Sequence, residues 1–171
     1  MNIKSAIIDG ASILKRRFIS SADLDSEILM AEAIKKKREF LILNSNLTID
    51  KKDLKIFYKF IEKRSAREPI AYITNKKSFW SSEFFVTKDT LIPRPETELM
   101  VDKLIKNYKN KKNISILDMG TGSGCIIISL LSELNNSYGI GIDISHKAIE
   151  IAKKNAINNG VSSRIKFLNI S

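Results

Sequence analysis

The 171-residue chain is poor in the residues that staple, break or ligate a structure: one cysteine, one histidine, one tryptophan and three prolines. A single cysteine excludes a disulfide framework and fits a reducing, cytoplasmic setting. Neither His146 nor Cys125 has a second ligand at metal-binding spacing, so both read as ordinary residues and no metal is expected. No apolar run approaches the ~18 residues of a membrane span, so no membrane partner is expected. The amino terminus, MNIKSAIIDGASIL, carries Asp9 and Gly10 inside a short apolar stretch and does not read as a secretory signal. Internal repeats and low-complexity tracts are absent as well.

What is present is enough apolar residue to bury a core, 43% of the chain, with 28% charged. The length fits one domain or two small ones. Net charge is +10, from 29 Lys and Arg against 19 Asp and Glu. Such an excess attracts polyanions. The basic residues are dispersed, however: Lys35 to Arg38, Lys63 and Arg64, then Lys103 through Lys112. No stripe of aromatics interleaves them, so solvated helix faces are the first reading and direct nucleic-acid binding is possible but not indicated.

The chain is organised around Ile114–Gly124, ISILDMGTGSG. A short apolar run ends at Asp118, glycine recurs at 120, 122 and 124, and an apolar helix follows from Cys125. This is a strand–loop–helix unit, and glycines at the turn admit positive φ and close approach of a ligand to backbone. The dinucleotide pattern G-x-G-x-x-G would need glycine where Cys125 stands. A phosphate-binding P-loop would need a lysine, and none lies between Lys112 and Lys147. A second strand, Tyr138–Ile142, ends in Asp143, where a carboxylate can accept both hydroxyls of a ribose. Strand, acid, glycines, helix, strand and second acid in this order resemble the cofactor motif of Rossmann-like S-adenosylmethionine-dependent methyltransferases. Right-handed crossover predicts that the Gly120–Gly124 loop and Asp143 share the carboxyl end of a parallel sheet.

Before this motif the chain changes character near Pro69. Residues 1 to about 67 read as helices, with faces Ile7/Ala11/Leu14/Phe18, Leu24/Ile28/Ala31 and Leu54/Phe57/Tyr58/Ile61. Ser20, Ser21 and Asp23 offer caps to the second helix, and Asp50 to the longer one. Ile70–Ile73 reads as extended, Asn75–Lys77 as a turn, and 78–80 with 84–86 as a small hairpin around a loop at 81–83. Pro93 and Pro95 hold Arg94 in a stiff, non-helical segment. Pro95 then opens a helix whose buried side is Leu99, Met100, Val101, Leu104 and Ile105. After Asp143, Ser145 caps a helix from His146 to Asn155, Gly160 ends it, and Ile165–Ile170 is a third strand.

REPIAYIT (Arg67–Thr74), the hairpin and LIPRPETE (Leu91–Glu98) ahead of DMGTGSG together resemble the HemK/PrmC family. The resemblance implies an α/β chain with three parts. These are an N-terminal helical bundle for release-factor recognition (1–74), a linking β-hairpin (75–92) and the first half of a Rossmann-like methyltransferase domain (93–171). It implies methyl transfer from S-adenosylmethionine to the glutamine side-chain amide in the Gly-Gly-Gln loop of peptide chain release factors, which are thus the implied partners. Gly120, Thr121, Gly122, Ser123 and Gly124 match the loop that holds the methionine part of the cofactor. Asp118 matches the acid that shapes that loop and faces the cofactor's amino group, and Asp143 the ribose-binding acid. Pro93, Arg94, Glu96 and Thr97 match the segment lining the cofactor and glutamine pocket; an arginine between prolines is equally read as a structural ion-pair anchor.

The sequence departs from the family pattern in one respect. The family's Asn-Pro-Pro-Tyr motif, whose asparagine and proline carbonyl orient the glutamine amide, does not occur in these 171 residues. The resemblance therefore implies no catalytic residue here and a polypeptide inactive by itself. Two other classes stay open: a tRNA or rRNA methyltransferase sharing the glycine motif, and a non-enzymatic module whose helical part docks a partner.

Overall fold

The computed structural model describes residues 1–170 and divides into two units, Met1–Thr74 and Asn75–Ser171. The first is helical: α1 (Ile3–Arg16), α2 (Ala22–Ala33), α3 (Arg38–Leu43), α4 (Lys51–Ser65) and α5 (Ile70–Thr74). Asn2 caps α1, its side-chain oxygen accepting the Ser5 N–H at 2.8 Å. Ile3, Ala6, Leu14, Leu29, Met30, Phe57 and Ile61 form the fully buried centre of the bundle.

The helical faces differ from the apolar spacing in two places. Phe18 lies beyond the end of α1 and is 88% exposed, and Leu24 points outward. On α2 the buried face instead carries Asp25, Ser26, Leu29, Met30 and Ala33. It does so because the two polar side chains are satisfied inside. Arg64 Nε donates to Asp25 at 2.7 Å, and Ser26 Oγ donates to the Ile7 carbonyl at 2.8 Å. Ser21 spends its hydroxyl on Asp25 rather than on capping α2, and the Asp50 side chain makes no cap bond to α4. Residues 70–73, expected to be extended, are helical because the Pro69 carbonyl accepts the Tyr72 and Ile73 N–H groups and starts the turn of α5.

Gly10 is the tightest point of this bundle. A Cβ there would stand 2.6 Å from Phe57 Cζ, 2.8 Å from Ser26 Oγ and 3.0 Å from Ile61 Cδ1. Gly10→Ala is expected to destabilise the chain by about 1–2 kcal/mol, overpacking outweighing a helix-propensity gain of about 1 kcal/mol. A urea midpoint that stays level or rises would contradict this packing.

The second unit opens with the antiparallel hairpin β1 (Lys76–Phe79) and β2 (Ser82–Phe85), Phe79 pairing with Ser82. The expected loop at 81–83 contracts to Trp80 and Ser81, and Lys76 and Lys77 belong to the strand rather than to a turn. Trp80 tolerates φ 55° because both its donors are held: its backbone N–H by Glu98 and its indole N–H by Glu133, each at 2.8 Å. Next, α6 runs Thr97–Tyr108. Pro95 sits in the turn before it, and Leu99 and Met100, expected inside, are exposed, leaving Val101 as the buried residue of that helix.

The remainder is β3 (Ser115–Met119), α7 (Cys125–Glu133), β4 (Tyr138–Asp143), α8 (His146–Asn158) and β5 (Ile165–Asn169). The three strands are parallel in the order β3-β4-β5. Gly139 of β4 makes room for α7: a Cβ there would meet Ile127 Cδ1 at 2.7 Å and Leu131 Cδ1 at 3.1 Å. Among the described residues of this unit, α7 and α8 pack on that face. On the other, Leu117, Met119, Tyr138 and Ile140 are exposed, beside the unpaired edge of β3. Among the described residues no helix is long and apolar enough to cross a membrane.

Candidate functional site

The carboxyl ends of β3 and β4 carry the two acids, and the glycine loop is strung between them. Gly120 and Thr121 both donate their backbone N–H to the Ile142 carbonyl at 2.9 Å, folding the loop back over the tip of β4. Asp143 then fixes its far side. One carboxylate oxygen accepts the Gly122 N–H and the other accepts the Ser145 N–H, each at 2.9 Å. Ser145 in turn caps α8 through Ala148 N–H. The expected placement of Asp143 on the same sheet end as the loop is thus realised, with the carboxylate in direct contact with the loop.

The three glycines do two different jobs. All have positive φ, 74°, 55° and 78° for Gly120, Gly122 and Gly124. Around Gly120 nothing lies within 4 Å of where a Cβ would be, and at Gly122 only the Gly120 carbonyl does, at 3.9 Å. That side of the loop is open, and a ligand can lie against bare backbone. At Gly124 a Cβ would stand 2.7 Å from Ile128 Cδ1 and 3.3 Å from Ala152 Cβ, so this glycine serves packing of α7 against α8.

Asp118 lies beneath the loop, accepting the Thr121 hydroxyl at 2.8 Å. Burial pushes its carboxyl above the usual carboxylate range; bonds from Thr121 and the Ile127 amide oppose this, and the nearby Asp143 charge adds to it. The folded chain therefore holds this proton to higher pH than the unfolded chain does. Its contribution to stability is full below the ordinary aspartate range and is lost as pH rises through the elevated value. Asp118→Asn should flatten that decline, so that the variant gains on the parent between about pH 4 and pH 7. Chemical denaturation across that interval checks it; parallel curves for the two proteins would contradict the assignment. Cys125, at the start of α7, has its thiol pushed up to about 11, chiefly by burial, and is not a nucleophile at neutral pH.

One residue of the site escapes the sequence pattern. Asn155 is fully buried, accepting the Phe85 N–H at 2.8 Å and donating to the Phe85 carbonyl at 2.9 Å and the Ser123 carbonyl at 2.8 Å. It ties β2 to the glycine loop across 70 and 32 residues of sequence. Its only signal was an amide on the apolar stripe of α8, between Ala152 and Ala156.

The segment before α6 is placed differently from the loop. Pro93 is buried, Thr97 is half-buried at the start of α6, and Arg94 and Glu96 are exposed. Among the described residues no side chain of these four bonds to the Gly120–Gly124 loop or to Asp143. Among the described residues the Arg94 side chain has no ion pair, and its carbonyl accepts the Thr97 N–H at 3.0 Å.

Comparison with known proteins agrees with this division of the chain. Residues 5–74 match the PrmC N-terminal domain and residues 110–170 a methyltransferase domain. The second unit is therefore a half-domain of the Rossmann-like methyltransferase class. These matches, with the relatives named next, support the HemK/PrmC family for this chain. It is 39% identical over 171 residues to the release factor glutamine methyltransferase of Buchnera aphidicola subsp. Acyrthosiphon pisum, covering 100% of this chain and 58% of that protein. It is 36% identical over 193 residues to the bifunctional methyltransferase of Rickettsia bellii, covering 98% of this chain and 35% of that one. Thus the chain spans between about a third and three fifths of the length of these curated relatives. Among solved structures, an RNA methyltransferase from Salinibacter ruber in complex with S-adenosyl-L-homocysteine aligns with TM-score 0.41 and 26% identity, over 47% of this chain and 50% of that one.

Proposed function

We propose that this chain is part of an enzyme that methylates the glutamine side-chain amide in the Gly-Gly-Gln loop of peptide chain release factors, with S-adenosylmethionine as cofactor. The observation that carries the cofactor reading is the Asp143 carboxylate bridging Gly122 and Ser145 beside an open, side-chain-free stretch at Gly120. Each Asp143 oxygen accepts one N–H and keeps a further acceptor direction, enough for the two hydroxyls of a ribose. Asp118 supplies a carboxylate at the loop's base for an ammonium group, and the Gly120–Gly124 backbone supplies close approach for an aliphatic chain. The residues present fit the methionine and ribose portions of the cofactor. When bound, S-adenosylmethionine supplies an electrophilic methyl group on a sulfonium sulfur. The chain's own part is to hold and orient that molecule; Pro93, Arg94, Glu96 and Thr97 are proposed to border the approach of the glutamine.

The release-factor reading rests on the PrmC N-terminal domain match and on the name of the Buchnera relative. Orientation contributes much of the rate of a displacement of this kind. A polypeptide of these 171 residues, holding no Asn-Pro-Pro-Tyr sequence, is therefore expected to bind S-adenosylhomocysteine weakly and not to turn over.

The test uses the chain and a chimera in which residues 1–171 are continued by the unmatched remainder of the Buchnera relative. Calorimetry with S-adenosylhomocysteine on both proteins tests the cofactor reading. Mass spectrometry of a release factor incubated with the chimera and S-adenosylmethionine should show one added methyl group on the Gly-Gly-Gln glutamine. Methylation of tRNA or rRNA with an unmodified release factor would overturn the substrate assignment.

A further inference from the structure

In the helical unit, the ends of α1 and α4 bring together residues some fifty positions apart. Arg16, Arg17 and Phe18 from the first, and Ser65, Ala66 and Arg67 from the second, line one open groove of about 370 Å³. Both helices close in the same way. The Phe18 N–H donates to the Lys15 carbonyl and Ile19 N–H to Leu14, while Arg67 N–H donates to Arg64 and Glu68 N–H to Lys63. In such closures the turning residue is left-handed, and glycine is its usual occupant. Here the turning residues are Phe18 at φ 55° and Arg67 at φ 64°.

The conformation alone marks nothing, since Lys35 after α2 has φ 54° as well. What distinguishes this pair is that both side chains converge on one groove and neither is buried. Phe18 is 88% exposed, so no packing offsets the cost of a branched-off ring on a left-handed backbone. The Arg67 guanidinium reaches across to the Arg17 carbonyl at 3.4 Å, holding the two helix ends together.

The charge in the lining of the groove is also of one sign. Lys15 is paired with Asp23 at 2.7 Å and Arg64 with the buried Asp25 at 2.7 Å, but no carboxylate pairs with Arg16, Arg17 or Arg67 among the described residues. The groove thus presents three guanidinium groups and one free aromatic face, with no acidic residue in its lining. Guanidinium groups bind phosphates, and a flat aromatic ring stacks a base of any identity, which is the chemistry of single-stranded nucleic-acid recognition. An acidic protein segment would satisfy the arginines but leaves a solvent-exposed ring on a strained backbone unexplained.

We propose that the groove formed by Arg16, Arg17, Phe18 and Arg67 binds single-stranded RNA, Phe18 stacking a base while the arginines hold flanking phosphates. This surface is built from residues of the helical unit alone and does not depend on the methylation reading.

Fluorescence anisotropy of the 171-residue chain with labelled oligouridine and oligoadenosine of about 12 nucleotides, over about 50 to 200 mM KCl, tests it. Phe18→Ala should weaken binding about tenfold with an unchanged salt slope, and Phe18→Trp should retain affinity. Replacing Arg16, Arg17 and Arg67 together with Gln should lower the slope of log affinity against log salt by about 2. A charge-matched control replacing the exposed Lys51, Lys52 and Lys55 with Gln should leave both quantities near the parent's. Phe18→Gly should lose the same affinity as Phe18→Ala while raising the thermal midpoint, because it relieves the left-handed strain. The proposal is overturned if Phe18→Ala binds as the parent does, if the lysine control matches the arginine triple, or if Phe18→Gly melts lower. It also fails if oligoglutamate displaces the chain as effectively as RNA, which would mark an acidic-protein surface.

Discussion

Asp143→Ala is expected to weaken S-adenosylmethionine binding by about 3 kcal/mol, and to do so for two reasons that a second variant separates. The first is loss of the charge-assisted hydrogen bonds that the carboxylate would offer a ribose. The second is loss of the brace on the loop: without it the Gly122 and Ser145 N–H groups have no acceptor, and the glycine turn gains freedom that a ligand must remove. Asp143→Asn keeps one acceptor oxygen but turns an NH2 group toward one of those two N–H groups. It should therefore fall between parent and alanine in cofactor affinity, with a loop less ordered than the parent's. Calorimetry with S-adenosylhomocysteine, on the variants placed in the chimera that continues residues 1–171, gives the affinities, and amide hydrogen exchange at Gly122 and Ser145 reports the brace. Unchanged affinity in Asp143→Ala would refute the ribose role, and unchanged exchange would refute the brace.

How far this site could be read in advance differs residue by residue. The glycine loop and Asp143 were legible because their chemistry is local: positive φ restricts residue type, and a parallel β-α-β crossover puts the two strand tips together. The ends of β3, β4 and β5 fell within a residue or two of the apolar runs for the same reason. The failures lie where long-range satisfaction overrides a local pattern. Asp25 and Ser26 face inward because Arg64 and the Ile7 carbonyl await them, which no window on α2 contains. Leu99 and Met100 lie on a helix with a single fully buried residue, so apolar spacing overstated its contact. Residues 70–73 carry β-branched side chains, yet the Pro69 carbonyl makes them a helical turn. Trp80 reverses the hairpin in two residues because Glu98 and Glu133 hold it from outside the hairpin. The groove at Phe18 and Arg67 was hidden for a further reason: dispersed arginines form no stripe until two helix ends meet.

These failures share a direction. Wherever a polar side chain has its partners assembled by tertiary structure, a sequence window counts it as solvent-facing or overlooks it. Asn155 is the clearest instance and the one with the largest consequence for folding. A buried primary amide has one acceptor group and two donor hydrogens, and here they are engaged by Phe85 N–H, the Phe85 carbonyl and the Ser123 carbonyl. Lys154, its neighbour, places its ammonium 3.4 Å from the centre of the Phe85 ring, adding a cation–π contact to the same strand. The hairpin is therefore fixed against the glycine loop by one side chain acting on two backbone segments.

Asn155→Ala should remove all three bonds at once, leaving one N–H and two carbonyls without protein partners in a largely dry place. At about 1 kcal/mol for each group, the expected destabilisation is about 3 kcal/mol, among the larger effects a single substitution has. Asn155→Asp is the more discriminating change. At neutral pH it keeps the acceptor for Phe85 N–H but sets a carboxylate against two carbonyl oxygens, so it should destabilise at least as much as alanine does. As pH falls and the carboxyl takes up a proton, it regains one donor, and part of the lost stability should return; the alanine variant has no such recovery. Urea unfolding of both variants between about pH 4 and pH 7 reads this out. Hydrogen exchange at Phe85 should rise more in the alanine variant, which has lost the acceptor, than in Asn155→Asp, which keeps it. Identical pH dependence in the two variants, or a loss well under 1 kcal/mol in Asn155→Ala, would show that the hairpin is held to the loop by packing alone.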